Sequence, residues 1–267
     1  SEYAQNYTTC FLQDGDAFVL RTEFLIQILE GIHKYLPNIK HVTTYARADS
    51  IARKSVSELR ELKAAGIEHL YCGMETGSDL ILRKINKGFD AATIIIGGTK
   101  AKEAGMVLSE FTLFGIGGKE LAEENAVETA KVLNVIKPDF IRVHATGIKL
   151  SSEMWNYVKN KELTLQSEEE IVSEQKIMLE LLADDMDCIY MNEHIVNLLL
   201  EVRGNIRTDK QNMLETINTY LQLPKQEQEL FNLGRRLNIM FFLADLNNRA
   251  KRKQTEEGLR KIKAQNP

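Results

Sequence analysis

Five short runs of apolar, β-prone residues recur along the first 150 positions: Cys10–Gln13, His41–Tyr45, His69–Met74, Val107–Phe114 and Phe140–Thr146. Their starts lie about 28 to 38 residues apart, the length of one strand-plus-helix unit. Between them apolar residues recur at helical spacing over Thr22–Leu36, Ser55–Ala65, Asp79–Lys87, Ala91–Ala104 and Leu121–Ile136. The ends of these stretches carry the matching signals. Ser55-x-x-Glu58 is a capping box, and Ser78 suits an N-cap for a helix closed by Lys87-Gly88. Gly66 and Gly105 stand where a left-handed residue ends a helix, and Pro138 follows the last of the five.

Right-handed crossovers make such strands parallel neighbours, and their even spacing favours a barrel-type sheet over a doubly wound one. Five strands do not close an eight-stranded barrel. After Leu150 the strand signals nearly stop, and helical patterns cover Glu168–Asp184, Lys210–Leu221, Lys225–Leu233 and Leu237–Lys263. One short run, Asp187–Met191, reads as an added edge strand. The predicted fold is therefore α/β, a partial TIM-like (β/α)6 barrel over residues 1–165, followed by a mainly helical C-terminal extension over 166–267.

Composition narrows the class without naming a function. The 267 residues carry a net charge of −4, which argues against a chain-wide basic surface for nucleic acid. A local excess of basic residues from Arg235 onward reads first as a solvated helix face, and second as a contact for an acidic partner. No apolar run reaches the roughly 18 to 20 residues of a membrane-spanning helix. Cys10, Cys72 and Cys188 are too scattered for a disulfide framework or a paired-cysteine metal site, so a reducing cytoplasm is the expected location. His194 has no second ligand at metal spacing, and no metal site is expected.

In a β/α barrel the functional groups follow the carboxyl ends of the strands. Here those positions hold Asp14-Gly15-Asp16, Ala46-Arg47, Glu75-Thr76-Gly77-Ser78, Gly115-Ile116-Gly117-Gly118 and His144 to Gly147. Carboxylates, an arginine and a glycine-rich loop on one rim suit a ligand with an ammonium group, hydroxyls and a flat ring. Each also has a plainer reading. Asp14 and Asp16 serve equally as turn and cap residues, Glu75 as a complement to a helix dipole, Arg47 and Arg142 as ion-pair partners of those carboxylates, and His144 as a satisfied core histidine.

At these residues the chain resembles the radical S-adenosylmethionine (radical SAM) superfamily, continuously from about Phe11 to Tyr157. FLQDGDAF resembles the family's second-strand segment with its Gly-Gly-Glu-type motif, written here Asp14-Gly15-Asp16. YCGMETGSDLILRKINKG resembles the fourth-strand segment, and FTLFGIGGKE the fifth-strand glycine motif. IKLSSEMWNYV is similar to the stretch after the sixth strand, and NEHIVNLLLEVRGNIRTDKQNML to the helical extension of one branch. The resemblance implies that Asp14, Gly15 and Asp16 hold the methionyl amino group, that Glu75 accepts from the ribose, and that Gly115, Gly117 and Glu120 pack around adenine. Arg47 and His144 complete the implied cofactor site, with no catalytic residue assigned.

The family's C-x-x-x-C-x-x-C loop, whose three thiolates hold a [4Fe–4S] cluster, is absent from this sequence. The expectation is a barrel lacking its first β/α unit, from an iron–sulfur oxidoreductase. With the cluster of the full-length protein, that enzyme would cleave S-adenosylmethionine to a 5′-deoxyadenosyl radical acting on an unknown substrate. This chain alone is expected to be inactive, with an open strand edge prone to self-association. Two other classes fit less of the sequence. One is a lyase or aldolase using Gly115–Gly118 as an anion loop, and the other is a non-catalytic scaffold.

Overall fold

The computed structural model describes residues 6–265 and the side chains of residues 6–260. Seven strands form one sheet in sequence order: β1 (Thr9–Leu12), β2 (His41–Ala46), β3 (Ile67–Glu75), β4 (Val107–Phe114), β5 (Phe140–Ala145), β6 (Ile189–Met191) and β7 (Gly204–Asn205). The first six run parallel and β7 is antiparallel to β6. Consecutive parallel neighbours joined through helices give the expected partial barrel. Among the described residues β1 pairs with β2 alone, so its other edge is open.

The predicted crossovers form α1 (Thr22–Tyr35), α3 (Val56–Ala64), α4 (Asp79–Lys84), α5 (Ala91–Glu103) and α6 (Ala122–Ile136), with a short α2 (Ala48–Arg53) directly after β2. The Ser55–Glu58 capping box is present, Ser78 accepts from the Ile81 amide, and Gly66 and Gly105 have positive φ. These helices cover one face of the sheet. Val42, Leu70, Met74, Leu108, Ile141 and Val143 from the strands are buried there against Leu25, Leu29, Ile51, Leu62, Ile94 and Leu133. That alternation of apolar and other residues along each strand is what fixes the register, because a one-residue slip would turn the whole apolar set outward.

Beyond residue 150 come α7 (Glu153–Lys159), α8 (Glu168–Leu181), α9 (Ile206–Leu221), α10 (Lys225–Arg236) and α11 (Arg249–Gln265). The sheet continues past residue 165, since β6 pairs with β5 and α8 packs on α6. The helix expected over Leu237–Lys263 starts only at Arg249. Asn238 is left-handed with φ 55°, and a 3-10 turn at Leu243–Asn247 intervenes, so twelve residues that kept a helical pattern form a loop instead. Neither α2 nor α7 was expected as a helix, both being too short to show a periodic face.

Candidate functional site

Alternate residues of the strands face away from the helices. On this inner face lie Phe11, Tyr45, His69, Tyr71, Phe111, Phe140, Arg142 and His144, mostly half-buried. They touch in a continuous set. Phe11 and Tyr45 meet edge to face at 4.7 Å, His69 stacks on Tyr71 at 4.2 Å, and Phe111 lies 5.5 Å from His144, whose ring is 4.1 Å from that of His194. His69 bonds Ser109 Oγ at 2.8 Å, and burial, then Arg142, lowers its pKa to about 4. His144 is lowered by burial, then by His194 and Arg142.

At the carboxyl ends of β1 to β3 the polar residues form one connected rim. Asp14 and Gly15 both have positive φ, and this turn brings Asp16 toward β2. One Asp16 oxygen accepts from the Arg47 amide at 3.1 Å and the other from Ser50 Oγ at 2.5 Å. Arg47 Nη2 donates to the Lys87 carbonyl at 2.9 Å and its Nε to Asp49 at 3.0 Å. Lys87 Nζ in turn donates to Glu75 Oε1 at 2.8 Å. A bulge between Gly73 and Glu75 folds the Glu75 carboxylate back over β3. It occupies the space above Gly73, where any Cβ would stand 2.5 Å from Oε1. Asp16, Arg47 and Glu75 are therefore brought together, through Ser50 and Lys87, which the sequence did not single out.

The loop after β4 is built differently. Gly115, Ile116, Gly117 and Gly118 are all buried. The Gly115 amide donates to Glu174 Oε2 at 3.0 Å, and Glu174 also accepts from Asn125 and Gln166. Desolvation pushes the Glu174 carboxyl up to about 7 despite those donors. Gly117 packs on Ile81 and Leu121, while Glu120, exposed, accepts from the Thr164 amide at 3.1 Å. Residues 115–120 are thus fastened to α8 through Glu174 and to the segment before it through Thr164. Glu174 lies on a helical pattern some 59 residues from its partner, and nothing local in the sequence pointed to it.

Among the described residues Arg142 has no carboxylate partner, contrary to the plainer sequence reading. Its Nε donates to Ser109 Oγ at 3.3 Å, and its guanidinium lies 5.1 Å from the Tyr71 ring centre and 5.7 Å from that of Phe140.

The cysteines do not suit an iron–sulfur cluster. Cys10, Cys72 and Cys188 are free thiols, in β1, in β3 and just before β6. Cys72 pairs in register with Glu110 on the helix-covered face, where burial raises its pKa, and burial pushes Cys188 up to about 12. Cluster ligation needs thiolates converging on one point. Among the described residues no group of three His, Cys, Asp or Glu converges on a metal position. No helix among them is long and apolar enough to cross a membrane.

No family model matches the chain. It is 23% identical over 173 residues to the heme chaperone HemW of Bacillus subtilis, a match covering 64% of this chain and 45% of that protein. The chain thus spans less than half the length of this curated relative. Among solved structures, the Escherichia coli coproporphyrinogen III oxidase HemN, a radical SAM enzyme, superposes with a TM-score of 0.51 at 15% identity, covering 65% of this chain and 40% of that one. An N-terminally deleted Elp3 of Methanocaldococcus infernus gives 0.52 at 14% identity, covering 66% and 46%. The order of the parallel strands and these two superpositions give the chain a partial-barrel fold similar to that of the radical SAM enzyme HemN.

Proposed function

We propose that this chain holds S-adenosylmethionine along the carboxyl ends of β1 to β3, as part of a radical SAM oxidoreductase. The connected rim of Asp16, Arg47, Lys87 and Glu75 carries the reading. It sets two carboxylates and two cations within one hydrogen-bonded network, the acceptors and donors that the ammonium, carboxylate and hydroxyl groups of an amino-acid zwitterion and a ribose require. Asp14, Gly15 and Asp16 would face the ammonium group, and Glu75 with Lys87 the hydroxyls and carboxylate. Gly115, Gly117, Glu120 and His144 would border the adenine less directly. Held beside a reduced [4Fe–4S] cluster in the whole protein, S-adenosylmethionine would supply radical chemistry. This chain's thiols do not fit that cluster, so its ligands would come from residues outside the 267. In this reading residues 1–165 form the cofactor barrel and 166–267 a mainly helical extension that adds β6 and β7 to its sheet, in a cytoplasmic protein whose open β1 edge is a surface for self-association.

The anion-loop alternative is disfavoured by Glu174, since an acidic side chain already takes the Gly115 amide that a phosphate would need. Carriage of a ligand without radical chemistry is the second reading, favoured by the scattered thiols and by the similarity to a chaperone. Titration of S-adenosylmethionine by calorimetry tests the first. Glu75→Ala is expected to weaken binding by about 1–3 kcal/mol, the effect of removing a charged acceptor from buried donors. Unchanged affinity would return Glu75 to a structural role at the bulge. Anaerobic iron and sulfide loading is expected to leave the chain without a stoichiometric cluster.

A further inference from the structure

Arg142 stands out on the inner face. Its position in β5 puts it one strand from Phe111 and Ser109, and its Nε bond to Ser109 fixes the plane of the guanidinium. The Tyr71 and Phe140 rings beneath hold it further. Nη1 and Nη2 make no hydrogen bond or ion pair with any described residue. Arginine held by packing normally spends its terminal donors on carbonyls or carboxylates, as Arg235 does here with the carbonyls of Ile195 and Asn197. The Arg142 fork is set in place with its outer edge unused.

Its surroundings define what would use that edge. The neighbouring His69 ring lies nearly parallel to Tyr71, with an interplanar angle of 18°, and stacks also toward Phe140 at 5.5 Å. Tyr71 and Phe140 each carry the His69 ring and the Arg142 guanidinium against their faces, so what they present outward is ring edge, with a fixed positive charge among them. We propose that the inner face recognises a planar aromatic carboxylate, its ring lying against Tyr71 and Phe140 and its carboxylate bound by Nη1 and Nη2 of Arg142. A carboxylate matches the fork geometry, and the ring edges select a flat aromatic body over an aliphatic one. This names the substrate class for the barrel face and rests on the radical SAM reading for its place in a reaction, though the recognition itself needs no cofactor.

The probe is 2-naphthoate, titrated into the chain by calorimetry or NMR beside the neutral 2-naphthalenemethanol and the non-planar cyclohexanecarboxylate. The expected result is saturable 2-naphthoate binding, weaker for both analogues and about tenfold or more weaker in Arg142→Gln. Arg142→Lys, which keeps the charge but loses the fork, is expected to recover only part of it. Thermal unfolding of each variant separates loss of recognition from loss of fold, and Tyr71→Leu gives a second route to weaker binding with the fork intact. Absence of 2-naphthoate binding, equal binding of the neutral analogue, or undiminished binding by Arg142→Gln would each overturn the proposal. S-adenosylmethionine affinity in the same variants is expected to stay unchanged. Its failure in the wild-type chain would count against the rim, and leave the outcome at Arg142 independently readable.

Discussion

The two faces of the sheet are made from alternate residues of the same strands, and they treat polar groups in opposite ways. On the inner face Ser109 satisfies both His69 and Arg142, and the rings around them stay half-buried. On the helix-covered face, one step along β4, Glu110 is fully buried between Cys72 and Ile141, and the Cys72 thiol is the one polar group beside a carboxyl whose oxygens otherwise lack a partner among the described residues. The adjacent Cys72 thiol is too weak a donor to compensate. Thr112 on the same face is also buried with its hydroxyl unpaired. Polar residues on the inner face stay within reach of solvent and of each other, so they can be kept for recognition. A carboxyl on the outer face survives only by holding its proton.

That difference gives the largest expected effect. Desolvation raises Glu110 to about 8 from an ordinary 4.5. The folded chain therefore binds more protons than the unfolded one between those values, so stability falls as pH rises through that window, with the full cost above about pH 8. At about 1.4 kcal/mol per unit the loss amounts to about 3–5 kcal/mol. Glu174, raised to about 7, adds a slope of the same sign. Urea unfolding between about pH 5 and pH 9 is expected to show a falling midpoint, and Glu110→Met to flatten most of it. If the methionine variant kept the wild-type slope, burial of Glu110 would not be its cause.

Adjacent residues of β3 give a more direct contrast. Leu70 faces the helices fully buried, while Tyr71 faces the inner side. Leu70→Ala is expected to cost about 3 kcal/mol, the transfer and cavity terms for a buried leucine. Tyr71→Leu keeps an apolar body and loses aromatic contacts worth about 1 kcal/mol. Equal costs, measured by chemical unfolding, would mean that the inner face is packed as tightly as the core and has no room for a ligand.

Strand periodicity and cap residues carried the outer face in the sequence: five strands, five crossover helices and the capping box at Ser55 lie where the pattern put them. The inner face was legible only in part. Phe140-Ile141-Arg142-Val143-His144 shows the alternation, but which member of each pair faces the helices depends on the neighbouring strand. Asp16, Arg47 and Glu75 could be named because they follow strand ends. Lys87 could not, for it reaches Glu75 from beyond α4, and Glu174 meets Gly115 across a long sequence separation. Such contacts are set by tertiary packing, which local periodicity does not encode.

Two glycines carry the contrast between the faces to its smallest expected effect. Gly97 in α5 lies against α2, and a Cβ there would stand 2.6 Å from the Ala48 carbonyl oxygen. Backbone cannot turn aside, so the helices must separate. Gly97→Ala is expected to cost about 2 kcal/mol, partly offset by the better helix propensity of alanine. Gly73 lies under the rim, and a Cβ there meets Glu75 Oε1 at 2.5 Å and Lys87 Nζ at 3.4 Å. Those are the far ends of flexible side chains. Gly73→Ala should therefore lower stability by less than about 1 kcal/mol, because a partly exposed ion pair contributes little. It should nevertheless displace the Glu75 carboxylate and weaken S-adenosylmethionine binding as Glu75→Ala does. A variant that lost stability like Gly97→Ala yet bound the cofactor normally would make the Glu75–Lys87 pair a structural fastening of β3, and the ligand would have to be sought along the inner face alone.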